Sequence, residues 1–370
     1  MTPADFLVQA YHSALDHLAE PFITESLIAA RAEIVCRNLQ NRAGVRLLLA
    51  CLLAKLDNPA VDIRKPYTEI GDADAFSGRT YDERYITPFV LAYKLPCNPT
   101  TAFLTPALRN RNTVLTPDLD MVGRPKEVYQ AALQLLKDVY AGRVEANVLL
   151  LEIIRLLILV REERHQRMNS LLHMLEASRS SVGLPAETII TLIQQHLAFR
   201  GASRLPVLAV AAAYHVAGSA LNESALPLEA HTAADRQTHA LGDVQIVSDE
   251  QVIVACYEMK MKQVTITDID QTMLKVAQAP QPPQHYVFIT TETILPEVNE
   301  YARQRVSQTG IEVVVLDCIG FLRHFLHLFY QQRMAFLEAY QELVLSEPDS
   351  AISPPLKEAF LALRHAAESE

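Results

Sequence analysis

Three residues in the second half of the chain have the types and spacing of a metal-dependent hydrolytic site: Asp243, Glu258 and Lys260. Two convergent carboxylates are suited to Mg²⁺, which keeps several waters and binds phosphate oxygens. A lysine beside them can orient or deprotonate a water molecule and can offset the negative charge of a phosphoryl transition state. This set of residues therefore predicts the hydrolysis of a phosphodiester bond.

Two β-strands must bring these residues together. Residues 242–248 and 251–262 have strand patterns, and a tight turn at Asp249–Glu250 joins them. We expect this hairpin to place Asp243 near the end of the pair that carries Glu258.

The second strand has one face that changes character along its length. Alternate side chains of a strand share a face, so Glu258 and Lys260 point the same way. We expect Val252 and Val254 to lie on that face also, which makes it apolar at first and charged from Glu258 onward. The pattern predicts a buried strand that opens into a polar pocket.

The elements around this hairpin predict an α+β protein. Helical patterns dominate residues 1–200, apart from a polar, loop-rich segment from 58 to 124 with one short helix near 82–94. From residue 205 the order is helix, strand, strand, helix, strand, helix, strand, helix, which predicts a mixed sheet with helices packed on it. We expect a helical and loop-rich domain over 1–200, a mixed-sheet domain over 201–348 and a C-terminal tail over 349–370.

The composition favours a globular protein of the cytoplasm. The chain has 370 residues, of which 50% are hydrophobic, and a net charge of −10, which argues against nonspecific coating of nucleic acid. Its five cysteines are scattered without a CxxC pair, and the N-terminus lacks the pattern of a signal peptide. Two apolar stretches, 146–164 and 205–222, are read as buried core helices, so we expect no membrane contact.

The arrangement of Asp243 and Glu258-Met259-Lys260 on paired strands followed by a helix resembles the PD-(D/E)xK nuclease superfamily. Gly242 stands where many members have proline. The segments DIRKPYTEIGDADAFSGRTYDERYI (62–86), LPCNPTTAFLTPALRNRN (95–112) and HTAADRQTHALGDVQIV (231–247) with YEMKMKQVTITDID (257–270) are together similar to the SacI family of type II restriction endonucleases. This similarity extends from about residue 40 to about residue 345.

The resemblance implies a Mg²⁺-dependent, sequence-specific endonuclease that cuts double-stranded DNA, with a PD-(D/E)xK core. In such an enzyme, Asp243 and Glu258 would hold the metal and Lys260 would be the catalytic lysine. Family members often add a further acidic ligand, for which Glu223 and Glu229 are the candidates. A homodimer that acts on a short palindromic site is expected, since a two-fold protein matches a two-fold sequence. A DNA methyltransferase gene is expected nearby.

The residues that contact DNA are expected mainly in the loop-rich segment. Arginine reads guanine and asparagine or glutamine reads adenine through paired hydrogen bonds. The candidates, some of which are equally suited to caps or surface charges, are Arg64, Lys65, Arg79, Arg109, Asn110, Arg111, Arg236, Gln237 and Gln263.

Two other functions stay open at this stage. One is a nuclease of the same superfamily that acts in repair or on modified DNA. The other is an interaction protein without catalytic activity that keeps a vestigial nuclease domain. His231 and His239 are read as hydrogen-bonded structural histidines rather than as ligands.

Overall fold

The computed structural model describes residues 2–38, 40–98, 100–177, 183–228 and 241–369. The chain divides into two compact units, Met1–Gln166 and Arg167–Glu370. The sequence predicted a domain boundary after residue 200. The boundary lies earlier because residues 186–197 pack into the core of the second unit.

The first unit is built around one helix, Ala43–Asp57. Its residues from Ala43 to Ala54 are all buried, and all of them except Arg46 are apolar or glycine, as expected for a central helix. The helices of this unit are α1 (Pro3–Asp16), α2 (Ser26–Arg37), α3 (Ala43–Asp57), α4 (Gly78–Tyr81), α5 (Thr87–Ala92), α6 (Lys126–Tyr140) and the first part of α7 (Ala146–Ala177), with 3-10 turns at Thr68–Ile70 and Ala102–Leu104 and a π-helical turn at Asp82–Ile86.

A buried ion pair attaches the loop-rich segment to α3. Arg46 donates from Nε and Nη2 to Asp82 Oδ1 at 2.8 and 2.5 Å, and both side chains are fully buried. The other carboxylate oxygen of Asp82 accepts hydrogen bonds from the Thr101 hydroxyl and the Ala102 N–H, both at 2.7 Å. One carboxylate therefore holds two parts of this segment against the central helix.

The charges inside the apolar stretch of α7 are paired. Arg155 Nη2 donates to Glu152 Oε1 at 2.6 Å, and both side chains are nearly inaccessible. Glu152 also accepts the N–H of Phe22 at 2.8 Å, and Arg155 donates to the carbonyl of Leu18 at 3.0 Å. These two residues thus bind the connection between α1 and α2 instead of interrupting a membrane span.

The second unit contains a five-stranded mixed sheet in the order β1-β2-β3-β4-β5. Strands β1, β2 and β3 pair antiparallel, and β3, β4 and β5 pair parallel. Together with the helices, this sheet confirms the α+β class. The strands are β1 (Glu223–Ala225), β2 (Val244–Ser248), β3 (Ile253–Lys260), β4 (His285–Thr290) and β5 (Glu312–Asp317).

Helices cover both faces of the sheet. They are α8 (Ala186–Leu197), α9 (Leu205–Leu221), α10 (Ile266–Val276), α11 (Pro296–Thr309), α12 (Cys318–Leu328), α13 (Arg333–Ser346) and α14 (Pro354–Ser369), with 3-10 turns at Ala202–Arg204 and Tyr330–Gln332. Residues of α10 and α11 share one core with Cys256, Tyr286 and Phe288 of the sheet. We call this side the α10/α11 face. The other helices pack with Tyr257 and Val287 on the opposite face.

Two segments of this unit bear on the sequence predictions. Among the described residues, Ala202–Leu221 has the length and apolarity of a membrane span, but 67% of it is buried inside the protein, as in the core helix of a soluble protein. The predicted C-terminal tail contains α14, whose Leu356, Phe360 and Leu361 are buried in the core of the second unit. The apolar spacing of these residues makes this segment an amphipathic helix.

Candidate active site

A β-bulge in the β2–β3 hairpin brings Asp243 level with Glu258. Near the turn, Val247 pairs with Ile253, and beyond the bulge Ile246 pairs with Ala255, so that Val254 is the extra residue. Val244 then pairs with Tyr257, and the next position along both chains sets Asp243 opposite Glu258. The hairpin that the sequence predicted thus exists, with a turn over Asp249–Gln251 in place of a two-residue turn.

The bulge also corrects the face assignment made from the sequence. Alternation along β3 was expected to place Val254 on the face of Glu258. Because the bulge interrupts the alternation, Val254 packs into the core on the opposite face. Ile253 packs on the α10/α11 face instead, with Cys256.

Gly242 allows the chain to approach β3 closely just before Asp243. A Cβ atom at this position would lie 2.7 Å from the carbonyl oxygen of Tyr257. Real Cβ atoms essentially never come so close to a backbone oxygen. A proline here, as the superfamily pattern often has, would also carry a Cβ and would require β3 to shift.

The Asp243 carboxylate is fixed by the backbone of the opposite strand. Its Oδ2 accepts a hydrogen bond from the N–H of Met259 at 2.7 Å. Met259 lies between Glu258 and Lys260, so the strand that carries those two side chains also orients the aspartate.

Glu258 lies partly buried between a lysine and a tyrosine. Its Oε1 accepts a hydrogen bond from Lys260 Nζ at 2.9 Å, with the two side chains 20% and 22% exposed. Its Oε2 is 3.5 Å from the Tyr286 hydroxyl. Burial raises the pKa of Glu258, and the charge of Asp243 raises it further, while Lys260 and Lys275 act in the opposite direction.

Lys260 remains cationic in this environment. Burial lowers the pKa of its ammonium group, but the hydrogen bond and charge of Glu258 outweigh that effect, so the net pKa is raised. Asp268 and Asp243 contribute in the same direction as Glu258.

Tyr286 and Lys275 are site residues that the sequence argument did not find. Tyr286 lies on β4, where it pairs with Cys256, and Lys275 lies in the last turn of α10. Both approach Glu258 from elements that follow β3 in the chain and pack against it in space. The sequence of β4 reads as an ordinary buried strand, and nothing in it marks Tyr286.

The donor set fits Mg²⁺ with two protein carboxylates. Within the described part of the chain, no group of three or more His, Cys, Asp or Glu side chains could hold a metal ion. Mg²⁺ is commonly held by one or two carboxylates and completes its octahedral shell with waters and substrate phosphates. Asp243 and Glu258, on one face and level across two strands, match that requirement.

Glu223 does not supply a third ligand. On β1 it pairs with Ser248, five residues along β2 from Asp243, or roughly 16 Å at ~3.3 Å per residue. Its charge instead raises the pKa values of Tyr214 and Tyr257, after the larger effect of burial. Glu229, the other candidate, lies outside the described residues.

Three of the predicted DNA-contacting residues are engaged with acidic neighbours in the first unit. Arg64 pairs with Asp62 at 2.7 Å and its guanidinium lies 3.2 Å from the centre of the Tyr140 ring. Lys65 contacts the carboxylates of Asp72 and Asp74, each at 2.8 Å, and Arg79 pairs with Glu83 at 2.7 Å.

In the segment from Ala107 to Asn112, one arginine has a structural role and its polar neighbours are exposed. Arg111 donates from Nε to the carbonyl of Ala107 at 2.6 Å and from Nη2 to that of Asp120 at 2.8 Å. Arg109 and Asn110 are exposed, and Asn110 and Asn112 have positive φ angles of 54° and 49°. Arg111 therefore holds a turn that presents Arg109 and Asn110 to solvent.

The remaining candidates belong to the second half of the chain. Gln263 is exposed and its Nε2 donates to the carbonyl of Thr293 at 3.2 Å. Arg236, Gln237, His231 and His239 lie outside the described residues.

No protein-family model matches this chain, and no curated protein matches it either. The family of the chain therefore stays a prediction from its sequence motifs.

Proposed function

We propose that this protein is a Mg²⁺-dependent endonuclease that hydrolyses phosphodiester bonds in double-stranded DNA. The observation that supports it best is the level pairing of Asp243 and Glu258, with Lys260 bound to Glu258 on the same face. Two half-buried carboxylates on one face repel each other, and the charge of Asp243 contributes to the raised pKa of Glu258. A bound cation would offset that repulsion.

Each residue has a definite task in this proposal. Asp243 and Glu258 would hold the cation, which when bound supplies Lewis acidity and makes a water molecule easier to deprotonate. The hydrogen bond from Met259 keeps the Asp243 carboxylate turned toward β3. Since the pKa of Lys260 is raised, its side chain serves as a cation that offsets charge on the scissile phosphate rather than as a proton acceptor.

The finer assignment, which the sequence resemblance supports, is a type II restriction endonuclease with a PD-(D/E)xK core. It would act as a homodimer on a short palindromic site. In the first unit, the exposed Arg109 and Asn110 are the best placed of the described candidates to read bases. Their types match guanine and adenine, and no ion pair or side-chain hydrogen bond within the described residues occupies them.

The test is cleavage of a DNA of mixed sequence by the full-length chain with Mg²⁺. We expect discrete fragments, and sequencing their ends gives the recognised bases and the stagger of the cut. Lys260→Met should lower the rate by ~100-fold or more, in the range found when one transition-state contact is removed. Lys262→Met is the matched control, because the Lys262 side chain is 72% exposed and, among the described residues, pairs with Asp268 alone, at 3.8 Å.

Each other outcome is informative. If neither Mg²⁺ nor Mn²⁺ gives fragments, or if Lys260→Met cuts as fast as Lys262→Met, the enzymatic proposal is overturned. Fragments that form only from methylated DNA would assign the site to a nuclease for modified DNA and would exclude the restriction assignment.

A further inference from the structure

Tyr286 connects the two chain segments that carry the carboxylates. It lies on β4, is 1% exposed, and its ring belongs to the core on the α10/α11 face. Its hydroxyl donates a hydrogen bond to the carbonyl of Leu241 at 2.7 Å. Leu241 is two residues before Asp243, so this bond holds the segment that enters β2.

The same hydroxyl oxygen lies 3.5 Å from Glu258 Oε2. A phenol has one proton to donate, and the shorter contact shows that the Leu241 carbonyl receives it. Burial raises the pKa of Tyr286 well above its usual value, and the neighbouring charge of Glu258 acts in the same direction, so the hydroxyl keeps its proton. The phenol oxygen is thus a fixed, neutral neighbour of the Glu258 carboxylate.

The segment Leu241–Asp243 is consequently held at three successive residues. Tyr286 binds the Leu241 carbonyl, Gly242 lies too close to the Tyr257 carbonyl to carry a Cβ, and Met259 binds the Asp243 carboxylate. Two of these contacts come from β3 itself. Tyr286 is the one that comes from the neighbouring strand, and it also touches Glu258.

We propose that Tyr286 is a positioning residue that sets the separation between the Asp243 and Glu258 carboxylates, and with it the affinity of the site for a divalent cation. This inference rests on the proposed function only in so far as the two carboxylates bind such a cation. Groups that orient metal ligands from behind typically contribute 10- to 100-fold to metal affinity.

The experiment is a calorimetric titration of the full-length Tyr286→Phe protein with Mg²⁺ and with Mn²⁺. The substitution removes the hydroxyl and keeps the ring. We expect the dissociation constant to rise by ~10-fold or more. Tyr340→Phe is the matched control, since Tyr340 is also a buried tyrosine of the second unit and its hydroxyl bonds to His196 at 3.1 Å, away from the carboxylates. It should bind both cations like the wild type.

The outcomes separate this inference from the proposed function. If the wild type binds neither cation, or if Asp243→Asn binds as tightly as the wild type, both are overturned. If Asp243→Asn loses binding while Tyr286→Phe keeps the wild-type dissociation constant, the positioning role alone is overturned. Loss of the folded state in Tyr286→Phe but not in Tyr340→Phe, measured by circular dichroism, would assign the hydroxyl to stability and also overturn it.

Discussion

Met259 donates its backbone N–H to Asp243 Oδ2 at 2.7 Å, so one strand both carries two of the three proposed catalytic side chains and orients the third. Any residue except proline at position 259 can make this contact, because the donor is the peptide N–H. The geometry of the site therefore depends on the pairing of β2 with β3 more than on any side chain between the two acids.

Replacement of Asp243 by asparagine removes the negative charge of the side chain and keeps its shape. The amide oxygen of Asp243→Asn can still accept the Met259 N–H, so we expect the fold to be kept. Because one of two carboxylate ligands is lost, Mg²⁺-dependent cleavage should fall by at least the ~10- to 100-fold that is typical when an outer-shell partner of a ligand is removed. Thermal unfolding and cleavage rates of the same preparation check both parts, and a variant that cuts at the wild-type rate would exclude Asp243 as a ligand.

A methyl group at position 242 should destabilise the second unit. The added Cβ of Gly242→Ala would lie 2.7 Å from the Tyr257 carbonyl oxygen, and backbone must move to accommodate it. Overpacking of this kind costs about 1–3 kcal/mol, which urea unfolding can measure. An unchanged free energy of unfolding would mean that the approach of Gly242 to β3 is looser than described.

Cation affinity should depend on pH through Glu258. Burial and the charge of Asp243 raise the pKa of this side chain, and a protonated carboxyl does not bind Mg²⁺. We therefore expect affinity to fall as the pH is lowered, beginning above the ordinary glutamate pKa of about 4.3. Titrations with Mg²⁺ at a series of pH values test this, and a constant affinity down to about pH 4.3 would contradict it.

Acid should destabilise the protein through His196. Its Nε2 donates to the carbonyl of Leu356 at 3.0 Å and its Nδ1 accepts from the Tyr340 hydroxyl at 3.1 Å, which is the neutral form of the ring. Burial lowers the pKa of His196 to about 4. Since the unfolded chain binds the proton more tightly, stability is full above about pH 6.5 and is lost as the pH falls toward 4, by ~3 kcal/mol. His196→Gln, which does not titrate, should lose less stability over the same range of pH in urea unfolding.

Two neighbouring arginines should respond differently to truncation. Arg111→Ala removes two hydrogen bonds to carbonyls, and we expect a loss of about 1–2 kcal/mol in the free energy of unfolding. Arg109→Ala removes an exposed side chain and should leave stability unchanged while weakening DNA binding. Binding to a labelled duplex and thermal unfolding distinguish the two, and equal effects of both variants on both quantities would contradict this division of roles.

The sequence was sufficient to predict the α+β class, the strand pair and the approach of Asp243 to Glu258, because turn position and apolar alternation act over a few residues. It was insufficient for Tyr286 and Lys275. Their positions beside Glu258 depend on how β4 and α10 return to β3, which local patterns do not encode. It also misplaced Val254, since nothing in an apolar run marks which residue is the extra one in a bulge.

The misjudged domain limits have a similar cause. The order of elements that predicts a mixed sheet begins at residue 205, but α8 packs with the elements that follow it. The segment that forms α14 was predicted to be a tail because charged residues alternate with its apolar ones. Leu356, Phe360 and Leu361 share one side of the helix, and this side packs into the core of the second unit.

The extra residue in β3 separates the pairing of the turn with β2 from the pairing of the carboxylates. The turn and the carboxylates lie on opposite sides of Val254, so each side keeps its own register with β2. We expect a one-residue slip of the turn to be taken up at the bulge, whereas in a regular ladder such a slip moves Glu258 to the opposite face of the sheet. We therefore expect Asp243 and Glu258 to stay opposite each other when residues of the turn are replaced.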